Sequence, residues 1–289
     1  MPARILTVAN QKGGVGKTTT AVSLSTELAG RFRVLLIDLD PQANATSSLG
    51  LADPDRALTT YDVLLDGTAL GDVVVHTSIP NLDLAPSDRA LAGAQIELVD
   101  LPDRDRRLAS AIAALSASNR PNGANGSNGA DGGGIADADT ARAGTANGNG
   151  ASGYDIVLID TPPSLGLLTL NALGASDYVM IPVQSEYLAL EGLSQLVETL
   201  ELVRGSLNPR LALIGILLTM VDARTNLSDQ VSAEVRRHFP AATFQASIPR
   251  SVRLSEAPSF GRPIQKYDPS SRGAKAYADV TRELLERLG

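Results

Sequence analysis

Short apolar runs, several of them β-branched, alternate along the chain with longer stretches whose apolar positions recur at helical spacing. That alternation predicts a parallel sheet covered by helices on both faces. Strands are expected at 4–9, 33–38, 82–86, 155–160, 178–183, 211–218 and 243–248, and helices at 17–30, 88–98, 104–115, 189–204, 227–239 and 273–288. The run Ile156-Val157-Leu158-Ile159 is short and closes on Asp160-Thr161-Pro162-Pro163, which favours a buried strand over a buried helix. The expected fold is α/β, a doubly wound, mostly parallel sheet in a single domain over residues 1–289.

One stretch breaks the pattern. Of the 38 residues from Ser116 to Gly153, 25 are Gly, Ala or Asn, and Ile135 is the one large apolar residue. Such a segment buries too little surface to offset its ordering entropy, so 116–153 is expected to be a disordered insertion within the domain. Loop closure cost grows only logarithmically with length, so the fold can carry it.

Composition narrows the chemistry. With no cysteine among 289 residues, disulfides, Cys-ligated zinc, iron–sulfur clusters and thiol nucleophiles are excluded. Only 3% of residues are aromatic and none is Trp, which argues against base stacking as a mode of nucleic-acid binding. The net charge of −7 conceals a division: residues 1–203 carry 12 basic against 24 acidic side chains, whereas 204–289 carry 13 against 8. A basic third therefore sits on an acidic body. Met1 runs within a few residues into Ile5-Leu6-Thr7-Val8-Ala9 and not into a leader-like region, and the run from Leu211 to Val221 is shorter than the ~20 residues of a membrane span. A cytoplasmic protein is expected.

The strongest motif is Gln11-Lys12-Gly13-Gly14-Val15-Gly16-Lys17-Thr18-Thr19, set between an expected strand and an expected helix. A loop that cradles a triphosphate must turn its N–H groups inward, and Gly13, Gly14 and Gly16 permit backbone angles and close approach that a Cβ would block. Lys17 then places a cation at the β- and γ-phosphates, the Thr18 hydroxyl can ligand Mg²⁺, and the helix adds its positive N-terminal end. The first glycine of the common P-loop pattern is replaced by Gln11, and a second lysine, Lys12, enters the loop.

Lys-Gly-Gly-Val-Gly-Lys-Thr-Thr resembles the deviant Walker A motif of the ParA/MinD group of P-loop ATPases. The resemblance implies ATP and Mg²⁺ as ligands, a fold of the P-loop NTPase type, and nucleotide contacts from Lys12 through Thr19, Val15 included. It also implies that Lys12 reaches across a nucleotide-sandwich homodimer to the partner's phosphates, as an arginine finger would. Asp38-Leu39-Asp40-Pro41-Gln42 is similar to the second switch motif, which gives Asp40 the attacking water and places Asp38 nearer the metal. Ile156 to Pro163 is similar to Walker B, with Asp160 as a Mg²⁺ residue.

Within the group the resemblance is closest to the ParA/Soj partition ATPases. It rests on Asp40-Pro41-Gln42-Ala43-Asn44, Pro182 to Tyr187, Thr219 to Asn226 and Ile248 to Pro258. It nominates Pro249 and Ser251 for the adenine pocket, although relatives often carry Asn where this chain has Ser251. It implies ATP-dependent, sequence-independent binding of double-stranded DNA, a nucleoid-associated location, and a ParB-like partner that stimulates slow hydrolysis. Phosphate contacts would come from the basic third. Arg224 fits the family's DNA-contacting arginine best, with Arg204, Arg236 and Arg253 as further candidates. Two alternatives are a MinD-like membrane-associated ATPase and a metabolic enzyme of the dethiobiotin synthetase type. The tail from Ala274 to Gly289 lacks the bulky apolar and basic faces of a membrane anchor, so no membrane partner is expected. The nitrogenase iron protein requires cysteines and is excluded.

Deleting residues 118–152 should leave the thermal midpoint within a few degrees of wild type in a calorimetric scan; a large fall would show that the segment contributes to the packed core.

Overall fold

The computed structural model describes residues 2–51, 58–118, 153–186, 189–222 and 224–289. One sheet contains β1 (Arg4–Val8), β2 (Val34–Asp38), β3 (Val75–His76), β4 (Leu82–Ala85), β5 (Ile156–Asp160), β6 (Tyr178–Gln184) and β7 (Ala212–Thr219). Their spatial order is β3-β4-β2-β5-β1-β6-β7, parallel throughout except for the short antiparallel edge pair β3–β4. The helices are α1 (Lys17–Leu28), α2 (Asn44–Ser48), α3 (Thr60–Leu65), α4 (Leu70–Val73), α5 (Leu91–Glu97), α6 (Arg107–Ser118), α7 (Leu167–Ala175), α8 (Ala189–Ser206), α9 (Asn226–His238), α10 (Val252–Glu256), α11 (Ile264–Tyr267) and α12 (Arg272–Leu288).

The central strands read as continuous apolar runs because both of their faces are covered. Alternate side chains go to opposite layers. Leu36 and Leu158 pack with Leu24 and Leu28 of α1 and Tyr277, Val280 and Leu284 of α12. Ile37 and Ile159 turn the other way, toward Leu108 and Ile112 of α6 and Leu168 and Ala172 of α7. Val179, Ile181, Ile216 and Leu218 meet Leu193, Leu196 and Leu200 of α8 in a third cluster.

α12 begins where the Ser271 hydroxyl accepts a hydrogen bond from the Ala274 N–H. Its stripe of Tyr277, Val280, Thr281, Leu284 and Leu288 is buried, and the Tyr277 hydroxyl lies 3.1 Å from the Thr20 hydroxyl of α1. The apolar face of the tail is thus spent on the core, as expected for a packed helix. No helix among the described residues is long and apolar enough to cross a membrane.

Besides the short elements α2, α3, α4, β3, α10 and α11, which fall in stretches expected to be loops, the structure departs from the sequence expectation in three places. The strand expected at 243–248 is an irregular segment that meets β7 at two separate points, an isolated bridge of Ile216 with Thr243 and a hydrogen bond from the Ile248 N–H to the Leu218 carbonyl at 2.9 Å. Between those points guanidinium groups bind its carbonyls: Arg287 donates to Thr243 and to the adjoining Ala242, which also accepts from the Ile216 N–H, and Arg236 donates to Phe244 and Gln245. α7 fills a connection left without a helix, because Leu168, Thr169, Asn171, Ala172 and Leu173 bury it on several sides and give it no amphipathic stripe. Ser116, Ala117 and Ser118, the first residues of the low-complexity stretch, complete α6; the disorder expected of 116–153 otherwise falls outside the described residues.

Sheet register is what builds the site. Val8 pairs with Asp160, and Asp160 with Asp38, so β1, β5 and β2 end side by side at one edge of the sheet. Chain direction reverses there, since β1 leads outward to β2 while β5 leads to β6 on the opposite side of β1. Doubly wound folds hold ligands at such a crevice.

Candidate nucleotide-binding site

β1 leads into the glycine loop, and Gly14 and Gly16 take φ values of 74° and 87°. These left-handed angles are strained for any residue with a Cβ. They turn the chain into α1, whose N-cap is Gly16 and whose first turn has neither a side-chain cap nor an acidic residue. Free N–H groups and the positive end of α1 therefore face the loop. The loop is tied down from behind: the Thr219 hydroxyl donates to the Val15 carbonyl at 2.9 Å, and the Asn10 amide donates to the Pro182 carbonyl at 2.7 Å. The Val15 side chain is buried beneath it.

The loop opens onto a cleft of about 280 Å³. Gly13, Gly14, Gly16, Lys17, Thr18, Thr19 and Asp40, all expected site residues, line it, together with Gln42, Asn44, Pro163 and Met220. Lys17 is 6% exposed and donates from Nζ to the Lys12 carbonyl at 3.2 Å. Burial lowers its ammonium pKa, while the carboxylates of Asp160 and then Asp40 pull in the opposite direction.

The two carboxylates that close β2 and β5 differ in how they are held. Asp38 is fully buried and saturated: Oδ1 accepts from the Asp40 N–H at 3.0 Å, and Oδ2 from the Thr46 N–H at 2.9 Å and its hydroxyl at 2.8 Å. Burial nevertheless outweighs these bonds and pushes Asp38 up to about 6. Asp160 is equally buried, yet neither carboxylate oxygen receives a hydrogen bond of normal geometry. Desolvation raises its pKa first and the Asp38 charge second, with the Thr18 hydroxyl and Lys17 opposing. A native buried carboxylate with two orphaned oxygens implies a missing partner.

Asp40 is 5% exposed, and Oδ1 accepts from the Gln42 N–H at 3.0 Å. Its carbonyl takes the Ser87 hydroxyl at 2.8 Å, while the Ser87 N–H donates to the Thr46 hydroxyl at 3.1 Å. Asp38, Thr46, Ser87 and Asp40 thus form one bonded unit. Thr46 and Ser87 were not picked out from sequence, and Thr46 at the eighth position after Asp38 matches no local capping pattern.

No cluster of three or more acidic or imidazole side chains forms a metal cage among the described residues. Mg²⁺ needs none, since it keeps several waters and is commonly held by one or two protein oxygens plus phosphates. The Thr18 hydroxyl and the orphaned Asp160 oxygens are of the right kind. Asp38 has its lone pairs engaged by Asp40 and Thr46, so it fits a positioning role behind the metal better than direct ligation.

Pro249 and Ser251 do not line the cleft. Pro249 pairs with Val221, next to cleft-lining Met220, and Ser251 precedes α10.

The expected DNA-contacting arginines separate into two kinds. Arg204 donates to the Leu211 carbonyl at 2.6 Å and pairs with Glu201, and Arg236 binds two carbonyls of the irregular segment, so both are framework residues. Arg224 is 85% exposed, forked onto Asp222 at 2.8 and 2.7 Å, and holds that carboxyl well below the usual range. Arg253 is exposed beside Glu256. Arg250, inside the stretch Ile248 to Pro258, is exposed, bonds through its N–H to the Val221 carbonyl, and adds its charge to Asp222.

Comparison with known proteins agrees with this geometry. A family model described as an AAA domain matches residues 3–118 and 149–213. The chain is similar to a chromosome partitioning protein ParA of Caulobacter vibrioides, 46% identical over 287 residues that span 99% of this chain and 95% of the relative. It is 47% identical over 283 residues to the sporulation initiation inhibitor protein Soj of Bacillus subtilis, covering 97% and 98%. Among solved structures it is similar to a cobyrinic acid a,c-diamide synthase from Mycobacterium smegmatis with bound ADP and magnesium, at 34% identity and a TM-score of 0.76 over 99% and 95% of the two chains. A Cyanothece McdA–ATP complex shares the fold, with a TM-score of 0.79 at 22% identity over 99% and 97% of the chains.

Because native Asp160 retains a proton that the unfolded chain releases, wild-type stability without nucleotide should fall as pH rises from the ordinary carboxylate range through the raised folded value. Asp160→Asn removes that term but leaves the similar term of Asp38. The unfolding free energy of the variant relative to wild type should rise as pH increases above the ordinary carboxylate range, because only wild type must give up the Asp160 proton. Urea titrations would measure it, and parallel pH profiles would contradict the assignment.

Proposed function

The chain belongs to the ParA/Soj family of P-loop partition ATPases, and from that premise we propose that it is an ATP-driven switch for DNA partition. ATP and Mg²⁺ close two chains into a sandwich, the closed dimer binds double-stranded DNA without sequence preference, and hydrolysis stimulated by a ParB-like partner releases it. The observation that carries the reading is the orphaned carboxylate of Asp160 beside Thr18 and Lys17 at the mouth of the glycine loop.

In this account the phosphates take the free N–H groups of the loop and of the first turn of α1, with the Lys17 ammonium as their cation in cis. Lys12 supplies a second cation to the partner's phosphates. Thr18 and Asp160 hold Mg²⁺, which when bound neutralises charge on the phosphate oxygens. Asp38 fixes the Asp40 N–H, and Asp40 presents its remaining oxygen to orient the attacking water and take up its proton. The adenine lies beyond Met220, toward Pro249 and Ser251.

Arg224, Arg250 and Arg253 offer phosphate contacts on the basic third. Joining two copies roughly doubles the number of such contacts and steepens the salt dependence of binding. A metabolic amide-forming enzyme would need a second substrate cleft adjoining the phosphates. The larger cleft described, about 740 Å³ against α6 and including Asp72, Asp103 and Arg107, shares no lining residue with the phosphate cleft.

Asp40→Ala should retain the ATP-dependent dimer while losing at least about 100-fold in turnover, the usual scale for a positioned general base; a variant that hydrolyses at the wild-type rate would remove Asp40 from the mechanism. Arg224→Glu should weaken retention on DNA by about tenfold or more in low salt with nucleotide affinity unchanged; equal retention would remove Arg224 from the DNA surface.

A further inference from the structure

Lys12 is held in two different ways. Its main chain is pinned: the N–H donates to Asn10 Oδ1 at 2.9 Å, the Asn10 amide is anchored on the Pro182 carbonyl of β6, and the Lys12 carbonyl accepts from Lys17 Nζ. Among the described residues its side chain is held by a single surface contact, an ion pair from Nζ to Glu186 Oε2 at 3.6 Å, with both side chains about half exposed. Glu186 follows β6 directly and is itself oriented. Its N–H donates to the Gln184 carbonyl at 2.8 Å, its Oε1 accepts from the Gln184 amide, and the neighbouring Ser185 hydroxyl lies 3.2 Å from the Ser232 hydroxyl of α9. One carboxylate oxygen is thus occupied by Gln184 and the other is presented to Lys12.

We propose that Glu186 is a positioning residue that parks Lys12 on its own chain and must release it before the sandwich closes. The inference rests on the reading that Lys12 acts across a dimer. With the main chain of Lys12 held by these hydrogen bonds, its side-chain torsions are the direct means of changing partner. It leaves a carboxylate in cis for phosphates in trans, and the strength of the first contact is subtracted from the second. Exposed ion pairs are weak, so Glu186 limits dimer formation at low concentration without preventing it. Salt screens such a pair, so the restraint fades as ionic strength rises.

The test is the dimer dissociation constant of the full chain with Mg²⁺ and a non-hydrolysable ATP analogue, measured by analytical ultracentrifugation at about 50 mM and about 500 mM salt. Glu186→Gln keeps the shape and removes the charge. It should tighten the dimer by about two- to fivefold in low salt, the range open to an exposed pair, and by less in high salt. The same substitution in a Lys12→Ala background should have no effect. An unchanged or weaker dimer for Glu186→Gln, or an equal effect with and without Lys12, would overturn the parking contact while leaving the trans role of Lys12 intact. Wild-type dimerisation and turnover by Lys12→Ala alone would overturn both.

Discussion

Two buried carboxylates standing side by side at the ends of neighbouring strands are the constraint around which this molecule is arranged. Parallel pairing in register puts Asp38 directly beside Asp160, away from water. Like charges in such a place raise each other's pKa and cost stability unless something answers them. Asp38 is answered locally, by three hydrogen bonds from Asp40 and Thr46. Asp160 is not. That deficit, facing the glycine loop, makes the site one that is completed by ligand, and it links nucleotide binding to the stability of the fold.

The bonds that satisfy Asp38 also set the loop that carries Asp40. Because they run through the Asp40 N–H, Thr46 and onward to Ser87, the position of Asp40 depends on the packing of its whole connection. Loop and sheet are fastened on the other side by Asn10 to Pro182 and Thr219 to Val15. The phosphate loop therefore reports to β6 and β7, and the segment after β7 carries Asp222, Arg224 and, across the Val221 contact, Arg250. A chain of contacts thus joins the glycine loop to the segment that carries Arg224 and Arg250.

Much of this could be read from the residues. The strands were legible because a doubly covered strand must be apolar on both faces, as Val157 and Leu158 show, and the glycine loop because left-handed angles at Gly14 and Gly16 demand glycine. The acidic stations were legible as strand ends. What was hidden lay in contacts between distant residues. No local pattern says that Thr46 and Ser87 brace Asp40, or that Arg236 and Arg287 bind the carbonyls of Ala242 to Gln245 where a strand was expected. Charge counting, likewise, could not separate Arg204, bound to a carbonyl, from Arg224, open to solvent. The family resemblance located Lys12 but not its companion, because Glu186 meets it only in space.

The central claim is that nucleotide controls hold on DNA. The direct measurement is co-sedimentation of the protein with long double-stranded DNA in the presence of ATP and Mg²⁺, of ADP and Mg²⁺, and without nucleotide, across a range of salt. The account predicts retention with ATP alone, weakening steeply as salt rises. Equal retention in all three states, or none with ATP in low salt, would contradict it.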